Sequence, residues 1–482
     1  MGPMRPILLV ASLCLAGCSG EVLGSFDTSP PAAVDADAPV PDGAVVVPLD
    51  AGTPVPTDAS QPGADASLPL SDSGAPSDAA SPGTDAASPG ADASTTTPPD
   101  ASSPCPDAGT TPAPDLWVTA YIAGWNLNVP PNAAYGTMPG TEVDYTAFTH
   151  GILFNLPVDA SGSLNGIADW DTFAPDRIRS AVGGAHAASR PILFSVGGGG
   201  NTAFATAIAT SAGRTKLVGE ILSVLTTWGF DGVDLDLEPI RASDEPNFTA
   251  LVQALSPALA AKSTPMLPKP LLTAACNSTN AAMYASLASS FDQINLMTYD
   301  MAGTWDGWVT WHNSALYDGG FRFPSSGGLI PSSDGMVDEL LAAGVPAKKI
   351  GIGIDFYGYV WKGGAGMPSG GATAPRQSWT TAPTVQDNLS YADIMSTYYQ
   401  ASRYHWDTAA EAAYLSIDDA SDANDKFISY DDATTAQKKV DYVKSKGIGG
   451  LIIWELSGAY LPSAPAGQRD PLLQALRTAA GL

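Results

Sequence analysis

Eight short apolar runs with the composition of β-strands follow one another between residues 116 and 482, and helix-like patterns separate several of them. The clearest helical pattern places Leu217, Ile221, Val224, Leu225 and Trp228 three or four residues apart. The eight runs are residues 116–121, 148–156, 191–196, 229–237, 271–276, 293–299, 350–356 and 450–454. Buried strands that alternate with helices over this length predict an α/β fold, a (β/α)8 TIM barrel.

The longest interval between these runs lies between the seventh and the eighth, from residue 357 to residue 448. One barrel helix does not need so much chain, and the interval begins with a Gly-rich stretch. We therefore expect a small α+β insertion at about residues 360–425, followed by the last helix of a barrel that spans residues 116–482.

Residues 19–115 differ sharply in composition from the rest of the chain. Between Glu21 and Asp115 there are 18 Pro and 15 acidic residues, no Lys or Arg, and a single aromatic residue, Phe26. Such a segment has too little apolar surface to offset the entropy lost on ordering, so it is predicted to be a disordered, acidic, Pro-rich linker. It contributes much of the net charge of −27, which excludes a nucleic-acid-binding function that depends on a basic surface.

The first 18 residues have the pattern of an export signal. Arg5 precedes a short apolar run at residues 7–15, and residues 15–18 read Leu-Ala-Gly-Cys. This ending resembles the lipobox of bacterial lipoproteins, which implies signal removal, lipidation of Cys18 and a membrane anchor. Ser19 in place of Asp implies an outer-membrane or cell-surface lipoprotein, which could also be released from the cell. An ordinary signal peptide with an incidental Cys is the alternative, and a Cys105–Cys276 disulfide also stays open.

The chemistry is concentrated in residues 231–239, which read Asp-Gly-Val-Asp-Leu-Asp-Leu-Glu-Pro. Alternate side chains of a strand share a face, so Asp234, Asp236 and Glu238 are expected to line one side. Three carboxyl groups within roughly 14 Å cannot all ionise cheaply, so at least one should keep a proton near neutral pH. The alternative is an edge strand whose acidic face is solvated.

This run resembles the Asp-Gly-x-Asp-x-Asp-x-Glu signature of glycoside hydrolase family 18, which contains chitinases and endo-β-N-acetylglucosaminidases. Other matches follow in the same order as in the family. They are Ser-Val-Gly-Gly at residues 195–198, Met-Thr-Tyr-Asp at residues 297–300, Trp454 near the eighth strand, and the pair Tyr121 and Trp125 near the first. The resemblance covers essentially all of residues 116–482.

The resemblance implies a chitinase that cleaves β-1,4 bonds between N-acetylglucosamine units with retention of configuration. Glu238 would act as the acid and base, and the acetamido oxygen of the substrate would attack the anomeric carbon. Asp236 would orient the acetamido group, Asp234 would share a proton with Asp236, and Tyr299 would bond the acetamido carbonyl. An endo-β-N-acetylglucosaminidase acting on N-glycans and a non-catalytic chitin-binding lectin are the alternatives.

The same resemblance implies six substrate-site residues: Trp454, Met297, Asp300, Trp125, Tyr121 and Ser195. Tyr121 and Ser195 are expected to hydrogen-bond Asp234, with a purely structural role as the alternative. Trp305, Trp308 and Trp311 could line outer sugar subsites or pack a loop. We expect no metal and no cofactor, a monomeric protein, and chitin or another N-acetylglucosamine-containing glycan as the partner.

One departure from the family pattern concerns the segment after the seventh strand. The family has Tyr-Gly-Arg there, whereas this chain has Tyr357-Gly358-Tyr359. The missing arginine leaves the depth of the binding cleft open, but it does not affect the acidic run.

Overall fold

The computed structural model describes residues 116–128, 137–165 and 174–482. The predicted signal peptide, the predicted linker, Cys18 and Cys105 lie outside the described residues. Within the described ranges the strands are β1 (Trp117–Ala123), β2 (His150–Leu156), β3 (Ile192–Gly197), β4 (Gly232–Asp236), β5 (Leu271–Cys276), β6 (Gln293–Leu296), β7 (Ile350–Asp355), β8 (Tyr357–Lys362), β9 (Thr384–Ser390), β10 (Tyr404–Asp407), β11 (Ala412–Ile417), β12 (Lys426–Tyr430) and β13 (Gly450–Trp454). The α-helices are α1 (Pro175–Ala187), α2 (Thr202–Ile208), α3 (Ser211–Trp228), α4 (Glu245–Ala260), α5 (Ala281–Leu287), α6 (Ser333–Ala343), α7 (Tyr391–Asp393), α8 (Ala433–Lys446) and α9 (Pro471–Ala480).

Strands β1 to β7 and β13 form a closed parallel barrel, in the order β1-β2-β3-β4-β5-β6-β7-β13. Each sequence-predicted strand corresponds to one barrel strand, although several are shorter than expected; the fourth run, for example, is extended only over Gly232–Asp236. Closure occurs because β1 pairs with both β2 and β13. The predicted (β/α)8 barrel is confirmed.

Helix α3 shows how the sequence pattern produces the outer layer of the barrel. Its buried positions include Leu217, Ile221, Val224 and Leu225, which share one face because they are spaced three or four residues apart. Thr210 caps the start by accepting a hydrogen bond from the Gly213 N–H, so one otherwise unpaired amide is satisfied. The helix faces a core that also contains the outward-pointing side chains of the barrel strands.

The insertion is an antiparallel sheet in the order β10-β11-β12-β8-β9. It begins at Tyr357 and ends at Tyr430, outside the expected bounds of about residues 360–425 on both sides. The expected bounds were too narrow because β8 begins at Tyr357, only two residues after the end of β7, before the Gly-rich stretch from which the insertion was predicted. Its helical content consists of the short α7, the π-helical turn Ile394–Tyr398 and the 3-10 turn Asp422–Asn424.

The glycines at the end of β3 allow a close approach between neighbouring backbones. Gly197 has a φ of 109°, and a Cβ at this position would lie 2.1 Å from the Asp236 carbonyl oxygen. The Gly198 N–H donates to that same carbonyl oxygen at 2.7 Å. Glycine is therefore needed here so that the backbone at the end of β3 can pass close to that of β4.

No helix within the described ranges combines the length and apolar character that crossing a membrane requires.

Candidate active site

The carboxyl groups of β4 point into the barrel, and the intervening side chains point outwards. Val233 and Leu235 belong to the outer core that the helices cover. Asp234 accepts a hydrogen bond from Tyr121, which lies on β1. Because β1 and β4 are not neighbours in the barrel, this bond must pass through the interior. The alternation predicted from the sequence is therefore present.

Asp234 lies at the centre of a buried hydrogen-bond network. Its Oδ2 accepts from the Tyr121 Oη at 3.0 Å and from the Ser195 Oγ at 3.2 Å, which are the two bonds expected from the sequence. Its Oδ1 accepts from the Thr273 Oγ1 at 2.6 Å. Sequence reasoning missed Thr273, although the signal was a hydroxyl on the strand next to β4. Thr273 and Asp234 are directly paired in the β4–β5 register, so their side chains share the interior face.

Asp236 and Glu238 form the outer part of the row, which we call the carboxylate row (Asp234, Asp236 and Glu238). Asp236 is 3% exposed, and a hydrogen bond joins its side chain to that of Glu238. Glu238 follows the last residue of β4 and is partly exposed at the barrel mouth. The other oxygen of Asp236, Oδ1, is buried without a hydrogen-bond partner. Because Asp236 Oδ1 has no protein partner and lies beside the partly exposed Glu238, it is suited to accept a hydrogen bond from a ligand.

Burial raises the pKa of every member of the row, and no Lys or Arg among the described residues bonds to it. Burial raises the pKa of Asp234 to about 6, against the opposing effect of its hydrogen bonds to Thr273, Tyr121 and Ser195. Burial and the charges of Glu238 and Asp234 raise the pKa of Asp236. Burial raises the pKa of Glu238 to about 7; the bond to Asp236 opposes the shift, and the charges of Asp300 and Asp234 add to it. The row therefore keeps protons near neutral pH, and an acid at its rim can donate one.

Aromatic side chains form one wall around the row. The ring centroid of Trp454 lies 4.7 Å from that of Phe154 and 5.5 Å from that of Tyr121, both with the rings edge to face. Trp125 lies next to Phe154 and Trp454 and is 37% exposed. Phe154, which completes the wall from β2, was not identified from the sequence. Wide aromatic faces of this kind can stack on the apolar face of a sugar ring.

Tyr299 and Met297 follow β6 and pack on the interior side of the barrel mouth. Tyr299 is 5% exposed, and its ring lies edge to face with Tyr357, with centroids 6.2 Å apart. Gly353 on β7 makes room for it, because a Cβ there would lie 2.6 Å from the Tyr299 ring. The two residues from the 297–300 motif thus lie beside the same opening as the carboxylate row.

A cleft opens beside Glu238, on the side towards β5 and β6. Its walls include Ile240, Cys276, Asn277 and Met297. Cys276 is a buried free thiol among the described residues, while its postulated partner Cys105 lies outside them, so the disulfide stays a hypothesis. No group of three or more His, Cys, Asp or Glu in the described part of the chain is arranged to hold a metal ion.

The three tryptophans that follow β6 have different environments. Trp311 is fully buried, and its Nε1 donates to the Pro331 carbonyl oxygen at 2.8 Å, so it packs a core and cannot line a sugar subsite. Trp305 is 36% exposed and packs against Trp308 with ring centroids 4.4 Å apart. Trp305 and Trp308 are thus accessible to a ligand, whereas for Trp311 the packing alternative is the correct one.

Comparison with known proteins gives a consistent picture. The family model for glycosyl hydrolases family 18 matches residues 154–459. Chitinase A1 of Niallia circulans is 33% identical over 289 residues, which are 55% of this chain and 40% of that protein. The class V chitinase of Arabidopsis thaliana is 31% identical over 338 residues, which are 66% of this chain and 82% of the plant protein. This chain therefore spans less than half of the first relative and most of the second.

The fold is also that of solved structures. A structure of the Ostrinia furnacalis group IV chitinase in complex with allosamidin superimposes with a TM-score of 0.62 at 21% sequence identity. The match covers 76% of this chain and 99% of the insect chain. At that level of identity the likeness supports the barrel and its inserted sheet.

Proposed function

Because this chain belongs to glycosyl hydrolases family 18, we propose that it is a chitinase, which hydrolyses β-1,4 linkages between N-acetylglucosamine units with retention of configuration. One observation carries the proposal: the carboxylate row ends in a partly exposed Glu238 whose pKa burial raises to about 7. A carboxyl group that keeps its proton near neutral pH can protonate a leaving-group oxygen.

The proposed reaction uses the substrate's own acetamido group as the nucleophile, the known exception to the rule of two catalytic carboxylates. Glu238 gives its proton to the glycosidic oxygen while the acetamido oxygen bonds to the anomeric carbon and the leaving group departs. The resulting oxazolinium ion is then opened by a water molecule, from which the ionised Glu238 removes a proton. Two displacements at the same carbon retain the configuration.

Asp236 and Asp234 support this cycle from inside the barrel. The unpaired Oδ1 of Asp236 can accept the acetamido N–H, so the acceptor that lacks a protein partner gains one from the substrate. As positive charge develops on the sugar, the two aspartates share their remaining proton differently and balance that charge, a coupled titration. Tyr299, at the barrel mouth, would donate to the acetamido carbonyl and hold it in line for attack.

The remaining site residues would bind the sugar. Trp454 would form the floor on which the cleaved sugar stacks, with Trp125 beside it at the rim. Met297 and Asp300 would form the opposite wall. Tyr121 and Ser195 would act through their bonds to Asp234 and need not contact the substrate.

A side-by-side assay tests the proposal. Purified protein is given chitooligosaccharides, the same oligosaccharides without their acetyl groups, and a high-mannose glycoprotein, and the products are followed by NMR. We expect rapid cleavage of the first substrate alone, with the β-anomer formed first. Equal cleavage of the deacetylated oligosaccharides or an initial α-anomer would contradict the mechanism, whereas release of the N-glycan would instead favour an endo-β-N-acetylglucosaminidase. Binding of chitin without turnover would favour the lectin.

We also propose that the enzyme is exported as a monomeric lipoprotein anchored at the outer membrane or the cell surface through Cys18. The support is the Leu-Ala-Gly-Cys ending of the N-terminal apolar run and the acidic, Pro-rich linker, which would give the enzyme reach from the surface. Incorporation of labelled palmitate in the expressing bacterium should be lost in Cys18→Ala. A Cys18→Ala protein that stays in the membrane fraction would refute the lipid anchor.

A further inference from the structure

Asp300 is fixed through its backbone by a buried asparagine. It has a φ of 56°, a left-handed conformation that side chains other than glycine rarely adopt. Its N–H donates to the Asn313 Oδ1 at 2.8 Å, and Asn313, which is fully buried, donates through its Nδ2 to the Asp355 Oδ2 at 2.5 Å. Such a conformation persists only where the surroundings hold it, and here the barrel end does so.

The carboxylate of Asp300 is held from the inserted sheet. The Oη atoms of Tyr357 and Tyr359 both donate to the same oxygen, Asp300 Oδ1, at 2.5 Å and 2.8 Å. The two tyrosines are two residues apart on β8, so their side chains leave the strand on the same side. Asp300 is therefore held from two directions, by the barrel through Asn313 and by the insertion through the tyrosine pair.

Both side-chain donors to Asp300 from β8 are tyrosine hydroxyls. A tyrosine hydroxyl satisfies a carboxylate oxygen but carries no positive charge, whereas an arginine would also neutralise the carboxylate. No ion pair found within the described ranges involves Asp300. Asp300 is thus hydrogen-bonded by Tyr357 and Tyr359 without being neutralised by them.

The ionisable groups around Asp300 are almost all acidic or phenolic. Its charge acts on Glu238 and raises the pKa of that acid, after the larger effect of burial. Burial raises the pKa of Asp300 itself to about 6, against the two tyrosine bonds. The groups that face Asp300 or Glu238 are Tyr357 and Tyr359 on β8, Asp387 on β9, Asp234 and Asp236 on β4, and, next to Tyr357, Asp355 on β7. Cys276 on β5 and Tyr284 on α5 line the cleft beside Glu238.

We propose that Tyr359 is a positioning residue that acts through Asp300, holding its carboxylate in place beside the acid Glu238 without neutralising it. The inference deepens the proposed function, because Glu238 is the acid of that reaction.

A direct titration tests this without any substrate. The chain contains only eight glutamates, so the carboxyl carbon of Glu238 can be followed by NMR in the full-length protein labelled with ¹³C-glutamate and assigned with Glu238→Gln. Tyr359→Arg should lower the titration midpoint of Glu238 by about one unit, because a nearby cation favours the ionised form. Asp300→Asn should lower it as well. The matched control Tyr414→Phe, on β11 of the same sheet, should leave it unchanged.

A double-mutant cycle on Tyr359 and Asp300, followed by enzyme kinetics, provides the second test. Tyr359→Phe should lower kcat by about tenfold with a smaller change in KM, and it should cause no further loss when Asp300 is already Asn. In Tyr359→Arg the basic limb of the kcat/KM profile should move to lower pH together with the NMR midpoint. An unmoved Glu238 midpoint, or equal losses from Tyr359→Phe in both backgrounds, would overturn the inference. If no variant or wild-type protein cleaves chitooligosaccharides but the midpoint shifts as expected, the proposed function fails and the positioning role stands.

Discussion

The barrel mouth contains two groups of buried carboxylates that differ in one respect, the presence of a cation. The carboxylate row on β4 has hydroxyl donors but no Lys or Arg bonded to it among the described residues. The second group, which we call the anchor cluster (Asp355, Asp431 and Lys439), contains a lysine that is 1% exposed. In the anchor cluster the cation compensates Asp431, while burial and the charge of Asp431 still raise the pKa of Asp355. In the row no cation is bonded to any member among the described residues, and burial raises the pKa of all three.

The Lys439 ammonium group has a protein partner for each of its N–H donors. It bonds to Asp431, donates to the Ser314 Oγ at 2.5 Å and donates to the Gly353 carbonyl oxygen at 3.0 Å. The three donors of the ammonium are used, so the group has no capacity left for a ligand. Burial alone therefore does not identify a reactive carboxylate. A buried acid becomes reactive when no cation compensates it and one member of the group reaches solvent.

The largest effect expected from this comparison is the loss of turnover in Glu238→Gln. The amide keeps the size of the side chain but cannot donate an acidic proton, so kcat should fall by at least about a hundredfold. Steady-state assays on chitooligosaccharides measure the loss, and circular dichroism checks the fold. Glu411→Gln, which removes a carboxylate on the inserted sheet that pairs with Lys438, is the control and should keep full activity. Turnover that survives in Glu238→Gln would end the assignment.

In the anchor cluster the expected effect is on stability. Lys439→Met leaves Asp431 and Asp355 buried without their cation, so the free energy of unfolding should fall by about 3–5 kcal/mol. Denaturant unfolding at neutral pH measures the change. Lys438→Met, the neighbouring residue in α8 with an exposed ion pair, should cost no more than about 1 kcal/mol. If the two variants were equally stable, the anchor cluster would not be the support that its bonding indicates.

The features that could be predicted from the sequence are local ones, and those that depend on contacts between distant segments could not be predicted. Strand alternation placed Asp234, Asp236 and Glu238 on one face because period-two geometry is local. Thr273 and Phe154 were missed because their roles depend on register and on contacts across the barrel, which local patterns do not encode. The start of the insertion was misplaced because Tyr357 follows β7 without a turn signal. Lys439 looked like any other residue of a surface helix, and only the fold buries it.

A smaller effect should appear in the pH dependence of stability. The pKa of Glu238 is raised in the folded protein to about 7, so the unfolded chain releases this proton first as the pH rises. The native state therefore loses stability between the unfolded pKa of about 4.3 and a pH of about 7. Glu238→Gln removes that loss, so its stability relative to wild type should increase across this window by on the order of 1–2 kcal/mol, discounted for partial exposure. Thermal unfolding of both proteins at several pH values measures it, and a constant difference would contradict the raised pKa.

The smallest expected effect concerns a single hydroxyl, Thr273. Thr273→Val keeps the shape of the side chain but removes the 2.6 Å bond to Asp234, which leaves one oxygen of a buried carboxylate without a protein donor. The pKa of Asp234 should rise further, the proton shared with Asp236 should be held more tightly, and kcat should fall by about tenfold. Thr119→Val is the matched control, because Thr119 is also buried and donates at 2.9 Å to Gln293, away from the row. Both variants should lose similar stability, and only Thr273→Val should lose rate; equal rates would mean that Asp234 needs only two of its three donors.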